Sequence, residues 1–378
     1  MGMQEASFVI VIIRLLGGFL MLGEATCAAL PGGADHPWMA TLPDTPALRI
    51  PVGPEDWATQ KEHIRARLRG LLGELPPRPA AASRLLWSKD CGGYRLDKFD
   101  FDNGAGERIA GYVFVPSGAS RLKPAPGIVY CHWHGGQYDI GKDELLGTNA
   151  TPVVPGPALA ERGYVVLGID ACGFGERNGS GPDGFSQRGS AGEASAAKFH
   201  LWAGRTLWGM MVRDDLMALD LLSAMPEVDS SRIGVTGISM GSTRTWWLMA
   251  MDDRPRAGVA VACMTRYRDL IQSGMLKAHG IYYFVPGVLA HFDAEAIIAC
   301  AAPRPMLFMT GDQDGGSPVA GVRKIGDVVG GVYNALGARE KSYFVNRIYE
   351  GVGHVYLPEM WEETLRWFDA HLKTPPVP

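Results

Sequence analysis

Residues 237–241 read Gly237-Ile238-Ser239-Met240-Gly241, and what surrounds this pentapeptide decides the fold. G-x-S-x-G is the pattern in which a serine is carried on a sharp turn between a strand and a helix. In a chain with 49 glycines the string alone is weak, so its flanks matter more. Residues 232–236 form a short strand-like run and residues 242–251 are good helix formers, which predicts Ser239 on a strand-to-helix turn. Gly237 and Gly241 supply the small neighbours that a strained turn requires. The helix N-terminus behind Ser239 also favours negative charge developing on a substrate oxygen.

A serine hydroxyl is a poor nucleophile at neutral pH and needs a base. Of the nine histidines, His354 stands apart: it ends the loop Gly351-Val352-Gly353-His354 between a strand at 343–349 and the last helix. That position puts it on the same sheet edge as Ser239. The group that orients its imidazole is sought after the strand at 305–310, in Gly311-Asp312-Gln313-Asp314. Asp314 is preferred, because the first residue after the strand-end glycine is still in the turn; Asp312 stays open as the alternative. An oxyanion hole needs two backbone N–H groups. Met240, directly after the serine, gives one. The loop His132-Trp133-His134-Gly135-Gly136-Gln137 gives the other, with Gly136 chosen because glycine lets backbone approach a substrate. A register set from His132 would make His134 the donor.

Working outward, residues 94–101 and 108–115 flank an Asn103-Gly104-Ala105-Gly106 turn and read as a hairpin. Strand-like runs follow at 127–132, 164–170, 232–238, 257–263, 305–310 and 343–349. Between and after them lie helical stretches at 206–224, 242–251, 294–301, 322–336 and 358–372. Short continuous apolar strands suit a sheet covered on both faces. The predicted fold class is therefore α/β: a mostly parallel eight-stranded sheet with helices on both faces and an N-terminal hairpin. Two connections, 173–204 and 264–293, are too long for simple crossovers and read as lids or binding walls.

The order Ser239, Asp314, His354 differs from that of chymotrypsin-type and subtilisin-type proteases and is the order of the α/β-hydrolases. The chain resembles that superfamily over about residues 94–372, and more narrowly its dienelactone-hydrolase-like and acetyl-xylan-esterase-like members. The resemblance is carried by the His134-Gly135-Gly136 loop, by Asp170-Ala171-Cys172-Gly173-Phe174-Gly175-Glu176-Arg177, and by the elbow, acid and base loops. It implies an α/β-hydrolase fold and a serine esterase acting on acetyl-type esters, including those of sugars. Dienelactone hydrolases proper use a cysteine nucleophile, so lactone opening is not carried over to Ser239.

Composition narrows the rest. Lys plus Arg is 36 against Asp plus Glu at 40, which leaves no basic footprint for nucleic acid or anionic lipid. A hydrophobic fraction of 47% excludes a disordered chain. Residues 1–29 have the layout of a secretory signal: Arg14, an apolar run at 15–22, then the small residues of 25–29. That predicts a secreted or periplasmic enzyme without a stable membrane span; a misassigned upstream start codon would make it cytoplasmic. Residues 30–80 are expected to be an extension with an amphipathic helix at 55–75, placing Trp57, Ile64, Leu68, Leu71 and Leu72 on one side and Lys61, Arg65 and Arg67 on the other. Residues 81–378 then form the catalytic domain.

Other residues are weighed against blander roles. His134 and Trp133 of the oxyanion loop, with His279, Tyr282 and Tyr283, are candidate substrate contacts, and core packing competes for the aromatic ones. Trp246 and Trp247 read as buried against the sheet, and Arg213, Asp214 and Asp215 as ion pairs tying their helix to a neighbour. His132-x-His134 with His354 or Asp139 could suggest a metal, but a serine triad already accounts for the site, so no metal and no cofactor is expected. His132 is expected to hold the oxyanion loop in shape. Two rival functions remain. One is a prolyl-oligopeptidase-like peptidase or aminoacyl hydrolase, for which Glu176 is the loop carboxylate available to hold an amine. The other is a non-catalytic binding protein on the same scaffold.

Overall fold

The computed structural model describes residues 37–180, 187–338 and 342–373; the signal read at 1–29 lies outside them. Among the described residues nine strands form a single sheet: β1 (Arg84–Asp90), β2 (Tyr94–Asp102), β3 (Arg108–Pro116), β4 (Ala125–Cys131), β5 (Val165–Ile169), β6 (Val228–Ile238), β7 (Pro255–Val261), β8 (Met306–Gly311) and β9 (Phe344–Tyr349). Their order is β1-β2-β3-β5-β4-β6-β7-β8-β9. The first three strands pair antiparallel with each other and with β5, and every pair from β5 to β9 is parallel. This is the α/β-hydrolase architecture expected from the sequence, with one strand more than the eight read there. The added strand, β1, carries no signal of its own. All seven residues are exposed, three apolar residues run together at Leu85-Leu86-Trp87, and a register shift at Leu86 breaks the two-residue period.

Apolar residues alternate cleanly between the two faces of the central strands. Met306 and Phe308 of β8 join one core cluster, while Leu307 and Met309 join the other. The first face is covered by α1 (Pro54–Leu72), α4 (Leu207–Ala224), α5 (Met240–Met251), α7 (Ala294–Ala299) and α8 (Val319–Ala335); the second by α2 (Pro155–Glu161) and α9 (Pro358–Phe368). Trp57, Ile64, Leu68 and Leu72 of α1 are buried in the first cluster, with Pro54 at the helix start and Glu55 and Asp56 in its first turn. Arg65, read as part of the polar side, is buried instead. Its Nε donates to the Ala250 carbonyl at 2.6 Å near the end of α5, and its two Nη groups donate to Asp253 at 2.7 Å each. A guanidinium with that many acceptors can leave water at little cost.

Both long connections hold structure that their composition hides. Residues 173–204 contain α3 (Gly189–Trp202), and residues 264–293 contain α6 (Tyr267–Gln272) and short 3-10 turns, one of them at Ile281–Tyr283. The chain passes from β4 to β5 on one side and then to β6 on the other side of β4. This reversal is the topological switch point at which open α/β sheets place their sites, beyond the strand C-termini. The loop at 132–137 follows β4 and Ser239 follows β6, so the two bracket it.

Candidate active site

Ser239 stands between β6 and α5 with φ 60° and ψ −120°, a conformation rare for a residue with a side chain. Its N–H donates to Val261 and its carbonyl accepts from the Thr243 amide, so both neighbouring elements hold the turn. The flanking glycines are required by close approach. A Cβ on Gly237 would lie 2.2 Å from the Cys131 carbonyl oxygen, and one on Gly241 would lie 2.0 Å from it. The elbow is thus pressed onto the end of β4. Ser239 is partly accessible, and the Cys263 thiol lies 4.0 Å from its hydroxyl.

Asp314 and His354 are brought together. His354 Nδ1 is 2.9 Å from Asp314 Oδ2, and the Gly316 amide donates to Asp314 Oδ1 at 2.9 Å. Asp314 is buried, whereas the imidazole side chain is about one-third exposed. Asp312 faces elsewhere, accepting from the Gly351 amide at 2.8 Å. It shapes the loop that leads to His354 rather than touching the ring.

The loop at 132–137 is held by buried polar groups. His132 Nε2 accepts from the Ala171 amide at 3.0 Å, so Nδ1 carries the proton and donates to the Trp133 carbonyl at 2.7 Å. Burial, with Arg244 nearby, pushes its pKa well down and keeps the ring neutral. The buried Glu144 carboxylate accepts from Tyr130 Oη at 2.5 Å and from the Trp133 amide at 2.7 Å. Arg244, on α5, makes a two-point pair with Asp215 of α4 at 2.9 and 2.6 Å. Asp214 meets Arg177 at 2.9 Å, and Arg213 donates to the carbonyls of Pro76, Pro77 and Asn103. The Asp170–Arg177 segment is knitted to the loop by Lys142, which is 3.0 Å from Asp170 and 2.6 Å from Glu176.

Glu144 gives a prediction about pH. Burial pushes its carboxyl up to about 7 against the pull of its two hydrogen bonds, from an ordinary value of 4.5. Between those values the native state holds a proton that the unfolded chain has lost. The group therefore contributes its full stability below about pH 4.5, and that contribution falls away as pH rises through about 7. The change is about 3 kcal/mol. In Glu144→Gln the carbonyl still accepts from Trp133 and the amide donates to Tyr130, with no titration. Urea unfolding from pH 4.5 to 7.5 should show the variant gaining on the wild type by about 3 kcal/mol. A difference independent of pH would refute the assignment.

The remaining sequence-named residues divide. The Gly136 amide is taken up by His134 Nδ1 at 3.0 Å, which disfavours Gly136 as the second oxyanion donor and turns attention to the His134 backbone. The His134 ring stacks on Tyr282 at 5.3 Å, and His279 stacks on Tyr283 at 4.1 Å while its Nε2 reaches the Gly316 carbonyl at 2.9 Å. Tyr282 and Tyr283 are almost wholly buried, so they build the wall and offer little face to a ligand. Trp133 packs into the opposite core cluster. Trp246 and Trp247 are fully buried. Both His132 nitrogens are engaged, and Asp139 pairs with Arg188 and Asn178. Among the described residues no three His, Cys, Asp or Glu side chains are placed to hold a metal ion. The five described cysteines are free. Glu144, Arg244 and Glu193 were not singled out from sequence. For Glu193 the available signal was the run 189–202, whose alanines form helix despite its Gly and Ser content.

The Abhydrolase family model matches residues 39–319, about three-quarters of the chain. The chain belongs to the Abhydrolase family. This Abhydrolase-family chain is 34% identical over 312 residues to "Putative hydrolase YtaP" of Bacillus subtilis (strain 168), covering 82% of this chain and 98% of that protein. It is similar in fold to a solved "putative acetyl xylan esterase" from Bacteroides fragilis, with TM-score 0.66, 18% identity, and 87% and 92% of the two chains covered. A glucuronoyl esterase from Solibacter usitatus superposes with TM-score 0.61 at 16% identity, covering 86% and 98%. The protein is thus a hydrolase of the α/β-hydrolase class. Among the described residues no helix is long and apolar enough to cross a membrane.

Proposed function

We propose that this Abhydrolase-family chain is a serine carboxylester hydrolase that works through an acyl-enzyme on short-chain, acetyl-type esters of carbohydrates. The observation that carries the reading is the Asp314–His354 contact at 2.9 Å on the sheet edge where Ser239 rides its strained elbow. His354 Nε2 takes the Ser239 proton as Oγ attacks the ester carbonyl, and Asp314 stabilises the imidazolium. The Met240 and His134 amides receive the tetrahedral oxyanion. The imidazolium then protonates the leaving alcohol, and water repeats the cycle to release the acid.

An apolar cavity of about 250 Å³ lies behind Tyr283, and neither Ser239 nor His354 lines it, so it does not serve as an acyl channel at the serine. The exposed His354 leaves the alcohol side open to solvent, as a polymeric sugar would need. The acetyl-xylan and glucuronoyl esterases among the structural relatives are consistent with a sugar ester. Against a peptidase, Glu176 is held by Lys98 at 2.8 Å and Lys142 at 2.6 Å, and so is not free to bind a substrate amine.

Initial rates on p-nitrophenyl acetate, butyrate and octanoate test the reading, alongside acetylated xylan, methyl glucuronate and an aminoacyl-p-nitroanilide. The expected result is acetate turnover at least about ten times faster than octanoate, with acetate released from the xylan. Preference for the anilide or for octanoate would contradict it.

A further inference from the structure

We propose that Glu193, on α3 of the first long connection, is a positioning residue that fixes the oxyanion loop; the inference rests on the serine mechanism proposed above. A carboxylate that is almost fully buried needs several donors, and Glu193 draws them from two separate segments. Its Oε2 accepts from His134 Nε2 at 3.0 Å and from Tyr138 Oη at 3.1 Å, both beyond β4. Its Oε1 faces the Tyr282 amide at 3.5 Å, in the second long connection. Gly280 is kept bare by the same oxygen, since a Cβ there would lie 2.5 Å from it. Two stretches that border the site therefore converge on one side chain carried by a third.

The consequence runs through His134. Because Nε2 donates to Glu193, Nδ1 is left as an acceptor, and it takes the Gly136 amide at 3.0 Å. The ring is further fixed by Tyr282 on its face and by Tyr138 and Phe174 at its edge, at 4.8 and 5.0 Å. Gly135 and Gly136 have φ of 52° and 71°, so this part of the loop has little stiffness of its own. His132 and Glu144 pin its start, and the His134–Glu193 contact pins the far end. Without Glu193 the imidazole can turn over, its Nδ1 no longer holds Gly136, and the His134 amide loses its direction. The insertion thus completes the oxyanion site.

The test uses the full chain with Glu193→Ala, Glu193→Gln and Ser239→Ala, measured on p-nitrophenyl acetate and with a trifluoromethyl ketone, which forms a tetrahedral oxyanion. Glu193→Ala should lower kcat by about 10²–10³-fold, the scale of losing one oxyanion donor, with KM changed less than about threefold. The ketone's Ki should rise by the same factor as kcat falls. Glu193→Gln keeps an acceptor for His134 Nε2 and should retain kcat within about tenfold. If the alanine variant does not fold, Gly280→Ala, which drives a methyl into Oε1, replaces it. Unchanged kcat and Ki, or a raised KM at unchanged kcat, would overturn the proposal while an inactive Ser239→Ala leaves the mechanism standing. An active Ser239→Ala would overturn both.

Discussion

Ser239→Ala is expected to lower kcat for acetate esters by about 10⁵–10⁶-fold without a matching loss of stability. In the proposed mechanism every step passes through the serine oxygen: it is the atom acylated and then deacylated. The base and the oxyanion donors cannot act in sequence without it, which is why removing one member of such a unit costs about as much as removing all of them. The turn itself does not depend on the hydroxyl. It is held by the Ser239 backbone bonds to Val261 and Thr243 and by Gly237 and Gly241 pressed against Cys131, all of which an alanine keeps. Thermal unfolding within a few degrees of wild type, beside lost turnover, is the pairing to look for. Loss of both would point to a structural role for the side chain.

Asp314→Asn is expected to lower kcat by about 10⁴-fold. The reason lies in its two oxygens. Oδ1 accepts from the Gly316 amide and Oδ2 meets His354 Nδ1. An asparagine keeps its oxygen towards the Gly316 N–H, which puts its amide nitrogen against Nδ1. That ring nitrogen must then accept, the proton moves to Nε2, and the imidazole no longer has a lone pair facing Ser239. Asp312→Asn is the control, because Asp312 serves the Gly351 amide and not the ring. It should cost less than about tenfold. A larger loss at 312 than at 314 would reverse the assignment of the acid.

How far the sequence carried these conclusions varied by element. The central strands were legible because a strand covered on both faces must be a mostly apolar run, as the buried half of β6 from Ile233 to Ile238, β7 from Ala257 to Val261, and β8 are. The elbow was legible because a tight strand-to-helix turn admits only small neighbours. β1 was not, since a fully exposed edge strand with a register shift has no period to read. Arg65 fell on the predicted polar side of α1 but is buried, because the acceptors that make this tolerable, Ala250 and Asp253, lie some 185 residues away in sequence. Glu193 was missed for the same reason: its partners come from the loop after β4 and from the second insertion. The choice of Gly136 over His134 rested on glycine's freedom to approach a substrate. That argument could not foresee that the Gly136 amide would be spent on a neighbouring imidazole.

The central claim is that Ser239 is the activated nucleophile. Its most direct test is a fluorophosphonate, which transfers its phosphonyl group to an activated serine oxygen with loss of fluoride. Intact-mass measurement followed by peptide mapping should show wild type gaining a single phosphonyl group on the peptide that carries Ser239, and Ser239→Ala gaining none. Labelling of the alanine variant at the wild-type rate, or an adduct mapped to another residue, would contradict the account.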